Sequence, residues 1–329
     1  MKARSRTLCH ILRSICLNPN EIVSSLALEI RTTVRPHLGK LASRHIEGIA
    51  ASGDATFAID EIAERAIVSF IESHGLSIAY YSEDRGLVEF GSAPKGVLVI
   101  DPIDGTRPAA AGFEACVVSV AYAEYSHRPT MADVTHGCIV EIKSGDTFLT
   151  ERGGGVRWTA GTGELCVPQP LPIQAIRDAP VSFEVVARPF EWIGLALSGI
   201  VDDAALRGGC FVFNSTAFSL TRLITGQLAI VIDIGNRILR DHPASHSRFA
   251  ALGGGRSIGL YSYDIAAAAL LATEAGAIVT DAYGNSFDDM PLLDTSETNL
   301  ASLVAASNPE LHAKALAEVE RGMRRLSIN

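Results

Sequence analysis

The stretch VLVIDPIDGTRP, residues 97–108, constrains this chain more than any other. Its apolar start describes a buried strand, and the strand runs straight into Asp101 and Asp104, three positions apart with Pro102 between them. Two like charges that close repel, and burial strengthens the repulsion. Either a cation sits between the carboxylates or the pair belongs to a polar turn.

Bulk properties narrow the choice. At 329 residues the chain exceeds one small core and suits two coupled subdomains. Apolar content of 47% and charged content of 20% describe an ordinary soluble globular protein. A net charge of −9 argues against a general nucleic-acid binder, which needs a basic footprint, and tolerates bound divalent cations. Cys9, Cys16, Cys116, Cys138, Cys166 and Cys210 form no Cys-x-x-Cys pair, so they read as reduced thiols of a cytoplasmic protein. No stretch approaches a membrane span. The opening MKARSRTLCHILRSICLN has basic residues before a partly apolar run, but His10 and Arg13 interrupt that run. It reads as an amphipathic helix or loose extension rather than a signal peptide.

Periodicity predicts helices over 21–34, stopped by Pro36, and over 58–74, stopped by Gly75. LSIAYYSED, KGVLVIDPID and EACVVSVAYAE read as strands, and GCIVEIKSGDTFLTER as a hairpin turning at 144–146. The first half is therefore two helices and an antiparallel meander. Four prolines in 167–180 mark a linker. Beyond it, strands at 183–187, 210–213, 228–233 and 277–280 alternate with helices at 190–200, 215–224 and 264–275, and a last helix starts at SNPELH. Residues 235–262 read as irregular. The alternation points to an α/β second half.

Five acids end strands or begin helices: Asp60, Glu83, Asp101, Asp104 and Asp264. Each has a local explanation. Asp264 suits a helix cap, Asp60 a first helical turn, Glu83 a solvated loop, and DPID an Asx-type turn. Together they offer what a hard cation such as Mg²⁺ wants, oxygen ligands. One strand-end aspartate can bridge two ions, a second can reach the outer one, and the intervening carbonyl is available. Gly105 allows a close backbone approach, and its N–H and that of Thr106 can point at an anion. Those are the parts of a phosphate-ester hydrolase. No P-loop, His-Glu-x-x-His or Gly-x-Ser-x-Gly offers another catalytic plan.

DPIDGT, with SED upstream, YDIAAAALLATEAGAIVTDAYG downstream and GDATFAIDEIAE ahead of it, resembles the inositol monophosphatase family of Mg²⁺-dependent, lithium-sensitive phosphatases. The likeness covers most of the chain from about Gly53. It implies an α/β (α+β overall) fold, a layered α-β-α-β-α sandwich of the inositol monophosphatase and fructose-1,6-bisphosphatase type. The expected divisions are an extension and first helix (1–40), a metal- and phosphate-binding subdomain (41–168) and a substrate subdomain (169–329). The resemblance implies that Glu83, Asp101 and the Ile103 carbonyl hold one Mg²⁺, and that Asp101, Asp104 and Asp264 hold a second. Glu83 would help a third, and Li⁺ would inhibit. Thr106 and Asp60 would orient and deprotonate the attacking water, and the Gly105 and Thr106 amides would hold the phosphate. It also implies a homodimer acting on an inositol or sugar phosphate, with no nucleic acid or membrane partner. A 3′-phosphoadenosine nucleotide, a sugar bisphosphate, or a non-catalytic metal-binding regulatory role are the alternatives.

The chain departs from the family pattern in several places. RPAAAGFEA follows DGT, so Arg107 stands beside the phosphate turn, either adding a contact or pointing to solvent. Ala50, Ala51 and Ser52 occupy the place of a frequent lysine. Asn214 replaces a helix-leading glycine, and Ser215 and Thr216 supply polar groups for substrate or merely cap the helix. Asp233 matches an acid that contacts substrate hydroxyls. The stretch after it carries Arg237, Arg240, Arg248 and Arg256. That insert reads either as a lid binding a second phosphate or carboxylate, or as a surface loop or dimer contact.

Overall fold

The computed structural model describes residues 17–40, 46–49 and 55–326. The reading of the N-terminal extension and the departure at Ala50–Ser52 lie outside these residues. The first half contains α1 (Pro19–Val34), β1 (Ile46–Ile49), β2 (Ala55–Phe57), α2 (Ala58–Ser73), β3 (Ala79–Ser82), β4 (Gly86–Glu89), β5 (Gly96–Asp104), α3 (Thr106–Ala111), β6 (Val117–Glu124), β7 (Val134–Glu141), β8 (Thr147–Glu151), β9 (Val156–Thr159) and β10 (Leu165–Cys166). The second contains β11 (Val181–Phe183), α4 (Phe190–Ala204), β12 (Cys210–Phe211), α5 (Thr216–Thr225), β13 (Ile230–Asp233), α6 (Gly235–Asp241), α7 (His246–Leu252), α8 (Ser262–Glu274), β14 (Ile278–Thr280), β15 (Leu303–Ala306) and α9 (Pro309–Met323).

Apart from the β1–β2 hairpin, the strands form an eight-stranded sheet, β10-β9-β8-β7-β6-β5-β3-β4, and a five-stranded one, β12-β11-β13-β15-β14. The large sheet is the expected meander with one exception. β3 and β5 pair in parallel because the β3–β4 hairpin occupies the edge and the chain returns inside it. Helices α1 and α2 cover one face of this sheet, and α5 and α8 lie on the other. The small sheet packs beyond α5 and α8, and α4 and α9 close its far side. The layers are therefore α-β-α-β-α, and the fold is α+β.

Each interface is apolar for a readable reason. Ile22, Leu26 and Ile30 recur at helical spacing on α1, while Leu98 and Ile100 face them from β5. Helix α8 carries apolar residues all round because a sheet lies on either side of it.

The second half departs from expectation three times, first in that the strand expected at 183–187 forms as β11, Val181–Phe183, and ends before Glu184. Residues 235–252 are not irregular, since they form α6 and α7. β15 lies between β13 and β14, antiparallel to both. Its sequence, LVAA, is too short and alanine-rich to distinguish a buried strand from part of a helix by pattern. Cys116, Cys138, Cys166 and Cys210 carry free thiols. Among the described residues no helix is long and apolar enough to cross a membrane.

Candidate metal centre and active site

Strand β5 alternates. Val97 and Val99 enter the core shared with α5 and α8, whereas Leu98 and Ile100 enter the α1–α2 core. Asp101 continues the first parity and points toward the start of α8. In a regular strand a residue three further on would face the opposite side. Opposite β6, however, Asp101 pairs with Ser119 and Asp104 with Val117, so β5 takes three steps where its partner takes two. That extra residue is a β-bulge, which resets the parity and brings both carboxylates to one side. Ile103, buried in the α1–α2 core, confirms the reset. Pro102 is tolerated here because a bulge leaves a ladder position without a donor.

The bulge delivers Asp101 and Asp104 to Asp264 at the start of α8, and carboxylate oxygens of all three lie within 4.8 Å of one another. Each carboxylate is oriented by donors. Asp101 Oδ1 accepts the Ile103 N–H (3.0 Å), and Asp264 Oδ2 accepts the Tyr261 N–H (2.6 Å). Asp104 Oδ2 accepts the Ser215 hydroxyl (2.7 Å) and the Ala217 N–H (2.6 Å) at the start of α5. The cap expected of Asp264 is real and coexists with membership of the cluster.

Burial, then repulsion from Asp104, Glu83 and their neighbours, holds Asp101 well above the usual carboxylate range. Burial and Asp104 do the same to Asp264. Burial pushes Asp104 up to about 6 against the hydrogen bonds that favour its charge. Three convergent acids with no histidine or thiol among them form an all-oxygen donor set, which fits a hard divalent cation.

Around the cluster lies a cleft of about 80 Å³. The structure brings into it Glu83, Asp101, Ile103, Asp104, Gly105, Thr106, Arg107, Ser215, Thr216 and Asp264. Gly105 is required there, because its φ is +87° and a Cβ would meet the Ala115 carbonyl oxygen at 2.4 Å. The Thr106 hydroxyl donates to the Ile103 carbonyl (3.1 Å). Ser215 caps α5, as one of the two roles weighed from sequence expects, and it also orients Asp104.

Two sequence-predicted residues are not in the cleft lining. Asp60 is buried in the first turn of α2, where it accepts the Phe57 N–H (2.7 Å), and α2 packs against α3, which starts at Thr106. Asp233 is buried behind Arg188, whose Nε donates to Oδ1 (2.9 Å) and whose Nη2 pairs with Oδ2. Arg188 faces the cleft in its place.

The arginine-rich insert is partly structural. Buried Arg237 donates to the Ala282 carbonyl (2.6 Å) and pairs with Glu320 of α9, while Arg240 reaches the Thr298 and Leu300 carbonyls (3.5 Å each). Only the end of the insert, Ile258–Leu260, lines the cleft.

Sequence reasoning missed Glu184 and Arg188 in the cleft and Glu64 beneath Ser82, and it noted Asn214, also in the cleft, only as the replacement of a glycine. Glu184 Oε1 and Asn214 Oδ1 are buried without a hydrogen-bond partner. Burial, then Asp233, pushes Glu184 up to about 8. Glu184 follows β11, so the strand-ending-in-acid rule would have found it had the strand been ended at Phe183. Glu64 stands one turn after Asp60 on the buried face of α2, accepts the Ser82 hydroxyl (2.5 Å), and is pushed by burial up to about 7.

A family profile described as the inositol monophosphatase family matches residues 20–324. The chain belongs to the inositol monophosphatase family. Its members are phosphatases, so the enzyme class is phosphoric monoester hydrolase. A fructose-1,6-bisphosphatase/inositol-1-monophosphatase of Methanothermobacter thermautotrophicus is 28% identical over 301 residues, 90% of this chain and 94% of that protein. A bifunctional NADP phosphatase/NAD kinase of Methanococcus maripaludis is 25% identical over 89% of this chain, which spans only 48% of that longer protein. The solved structure of an IMPase from Thermotoga maritima shares the fold, with a TM-score of 0.66 at 18% identity over 92% of this chain and 97% of that one.

Proposed function

We propose that this family member is a Mg²⁺-dependent phosphomonoesterase that hydrolyses a small phosphorylated metabolite by attack of an activated water. The observation that carries the reading is the convergence of Asp101, Asp104 and Asp264 through a strand bulge. A scaffold has no use for three acids, two of them buried, brought together against their own repulsion. Glu83, Asp101 and the Ile103 carbonyl would hold one ion, and Asp101, Asp104 and Asp264 a second, with Glu83 also serving a loosely held third. Bound divalent cations supply neutralisation of the phosphoryl charge. The protein's own groups do the rest. The Gly105 and Thr106 amides hold phosphoryl oxygens, Thr106 orients the water, and Asp60 at the start of α2 accepts its proton. Ser215 keeps Asp104 aimed. Arg107 and Thr216 contact the substrate, while Asp233 acts through Arg188.

Inositol and sugar phosphates are the default substrates, in keeping with the names of the relatives, and Li⁺ is the expected inhibitor. Free thiols suit a reducing cytoplasm, and a homodimer is the family expectation. The test is Mg²⁺-dependent phosphate release from inositol 1-phosphate, fructose 1,6-bisphosphate and glycerol 2-phosphate, with Asp104→Asn as the blank. Release that the blank lacks supports the reading. A folded protein that binds Mg²⁺ and releases phosphate from none of them overturns it in favour of a regulatory role.

A further inference from the structure

Glu83 enters the cleft from the end of β3, and its support lies on the other side of the sheet. Strand β3 alternates. Ala79 and Tyr81 enter the core shared with α5 and α8, while Tyr80 enters the α1–α2 core. Ser82, the last residue of the strand, continues the parity of Tyr80, and Glu83 that of Tyr81. Ser82 pairs in parallel with Ile100, so one step on Glu83 stands beside Asp101. Both acids line the cleft.

Behind Ser82 stands Glu64, buried on the inner face of α2. Its Oε1 accepts the Ser82 hydroxyl (2.5 Å), and its Oε2 accepts the Tyr80 hydroxyl (3.4 Å). The same Ser82 oxygen accepts the Arg85 N–H (3.3 Å), which closes the turn at 83–85. A second tie runs outside, where Arg85 pairs with Glu61 of α2 (2.8 Å). That pair is half exposed and holds weakly. The buried bond to Glu64 is the one that fixes the turn. An acid at this place is costly, since burial pushes it up to about 7, and an apolar side chain would avoid the cost. Either protonation state keeps the bond, because the carboxylate accepts the Ser82 hydroxyl and the protonated acid can donate to Ser82 Oγ.

We propose that Glu64 is a positioning residue for Glu83: through Ser82 it fixes the turn so that the Glu83 carboxylate stays aimed at the ion it shares with Asp101. Glu64 touches neither the ion nor the substrate. Groups that stand behind a metal ligand orient it, and losing one costs about ten- to a hundredfold in metal affinity. The proposal rests on the Mg²⁺-dependent reading above and adds a residue to its machinery.

The test titrates Mg²⁺ alone into the full chain by calorimetry, and measures the Mg²⁺ concentration that half-saturates phosphate release from inositol 1-phosphate. Glu64→Leu and Ser82→Ala should each weaken Mg²⁺ binding about tenfold, and should raise the half-saturating concentration more than they lower kcat. The double variant should bind no more weakly than the worse of the two, because both act through one turn. Glu64→Gln keeps an acceptor for the Ser82 hydroxyl and should bind Mg²⁺ close to the wild type. Tyr80→Phe is the control. It takes a partner from the same carboxylate without touching the turn, so it should lower stability and leave Mg²⁺ binding unmoved. Wild-type binding in both Glu64→Leu and Ser82→Ala overturns the proposal. So does a loss in Tyr80→Phe as large as theirs, which would mark a packing effect. If Glu64→Leu does not fold, Ser82→Ala decides. A wild type that binds Mg²⁺ but releases no phosphate counts against the phosphatase reading instead, and the calorimetry still decides Glu64. A wild type that binds no Mg²⁺ overturns both.

Discussion

The two walls of the cleft are built on opposite principles. The acidic wall comes from β5, α3 and the starts of α5 and α8, and donors orient the carboxylates of Asp101, Asp104 and Asp264. The facing wall comes from the segments after β11 and before α5. It holds both non-glycine residues of positive φ among the described residues, Ala187 and Asn214, and two buried oxygens without partners, on Glu184 and Asn214. The first wall has a hydrogen-bond donor on each of its three clustered carboxylates. The second has unmet polar groups that a substrate can satisfy. The acidic wall thus rests on a bulged strand and helix starts whose donors fix every carboxylate, and the facing wall on connections whose polar atoms are left open.

Removing one charge from the acidic wall gives the largest effect. Asp101→Asn is expected to cut phosphate release by about a thousandfold, the scale on which one transition-state charge contact acts. The same change should raise the melting temperature of the metal-free protein, because the folded state holds this acid above its ordinary range. The sign follows from linkage. Asp104 titrates near 4 unfolded and near 6 folded, so its protonation favours the fold, and metal-free stability falls as pH climbs through that window. Mg²⁺ needs the deprotonated acids, so its stabilising shift should grow over the same window. Thermal unfolding across pH 4–8, with and without Mg²⁺, checks both. A metal shift in Asp101→Asn equal to that of the wild type would erase the distinction between the walls.

How far each wall was legible follows from the same contrast. The acids were found because they end strands or start helices, which a sequence displays. The bulge that turns Asp104 to the side of Asp101 was not visible, since it is defined only by the partner strand β6. On the facing wall the reading failed where charge pairing decides orientation. Asp233 reads as a substrate acid, but Arg188, 45 positions earlier, claims it. Arg237 reads as a ligand for a second anion, but Glu320 of α9 claims it. Both pairings are long-range, and local pattern carries no trace of them. The five-layer fold was legible mainly through the resemblance, because LVAA in β15 does not declare itself as a strand.

A middle-sized effect tests the support behind the second wall. Asp233→Asn leaves the buried Arg188 guanidinium without its counter-charge and is expected to cost about 3–5 kcal/mol of stability. Chemical denaturation measures the loss. The Mg²⁺-induced shift should persist in this variant, because the acids stand on other elements. Loss of that shift would mean that the two walls fold as one unit.

The smallest effect is the sharpest test of the comparison. Glu184 is buried with one unpartnered oxygen, and its carboxyl titrates near 8 rather than in the ordinary acidic range. At neutral pH it is therefore largely uncharged, and Glu184→Gln replaces one neutral group by another of the same shape. Stability near pH 4, where both states hold the Glu184 proton, should change by less than about 1 kcal/mol. Above that pH the two proteins part. As pH rises from the ordinary carboxylate range to about 8 the unfolded wild type gives up a proton that its fold retains, which favours the unfolded chain, and the glutamine variant has nothing to ionise. The variant should therefore become progressively the more stable of the two between pH 5 and 8, with its KM raised and its Mg²⁺ shift unchanged. Identical pH slopes would show that Glu184 is charged in the fold, and the facing wall would then be a second acidic wall rather than an open recognition surface.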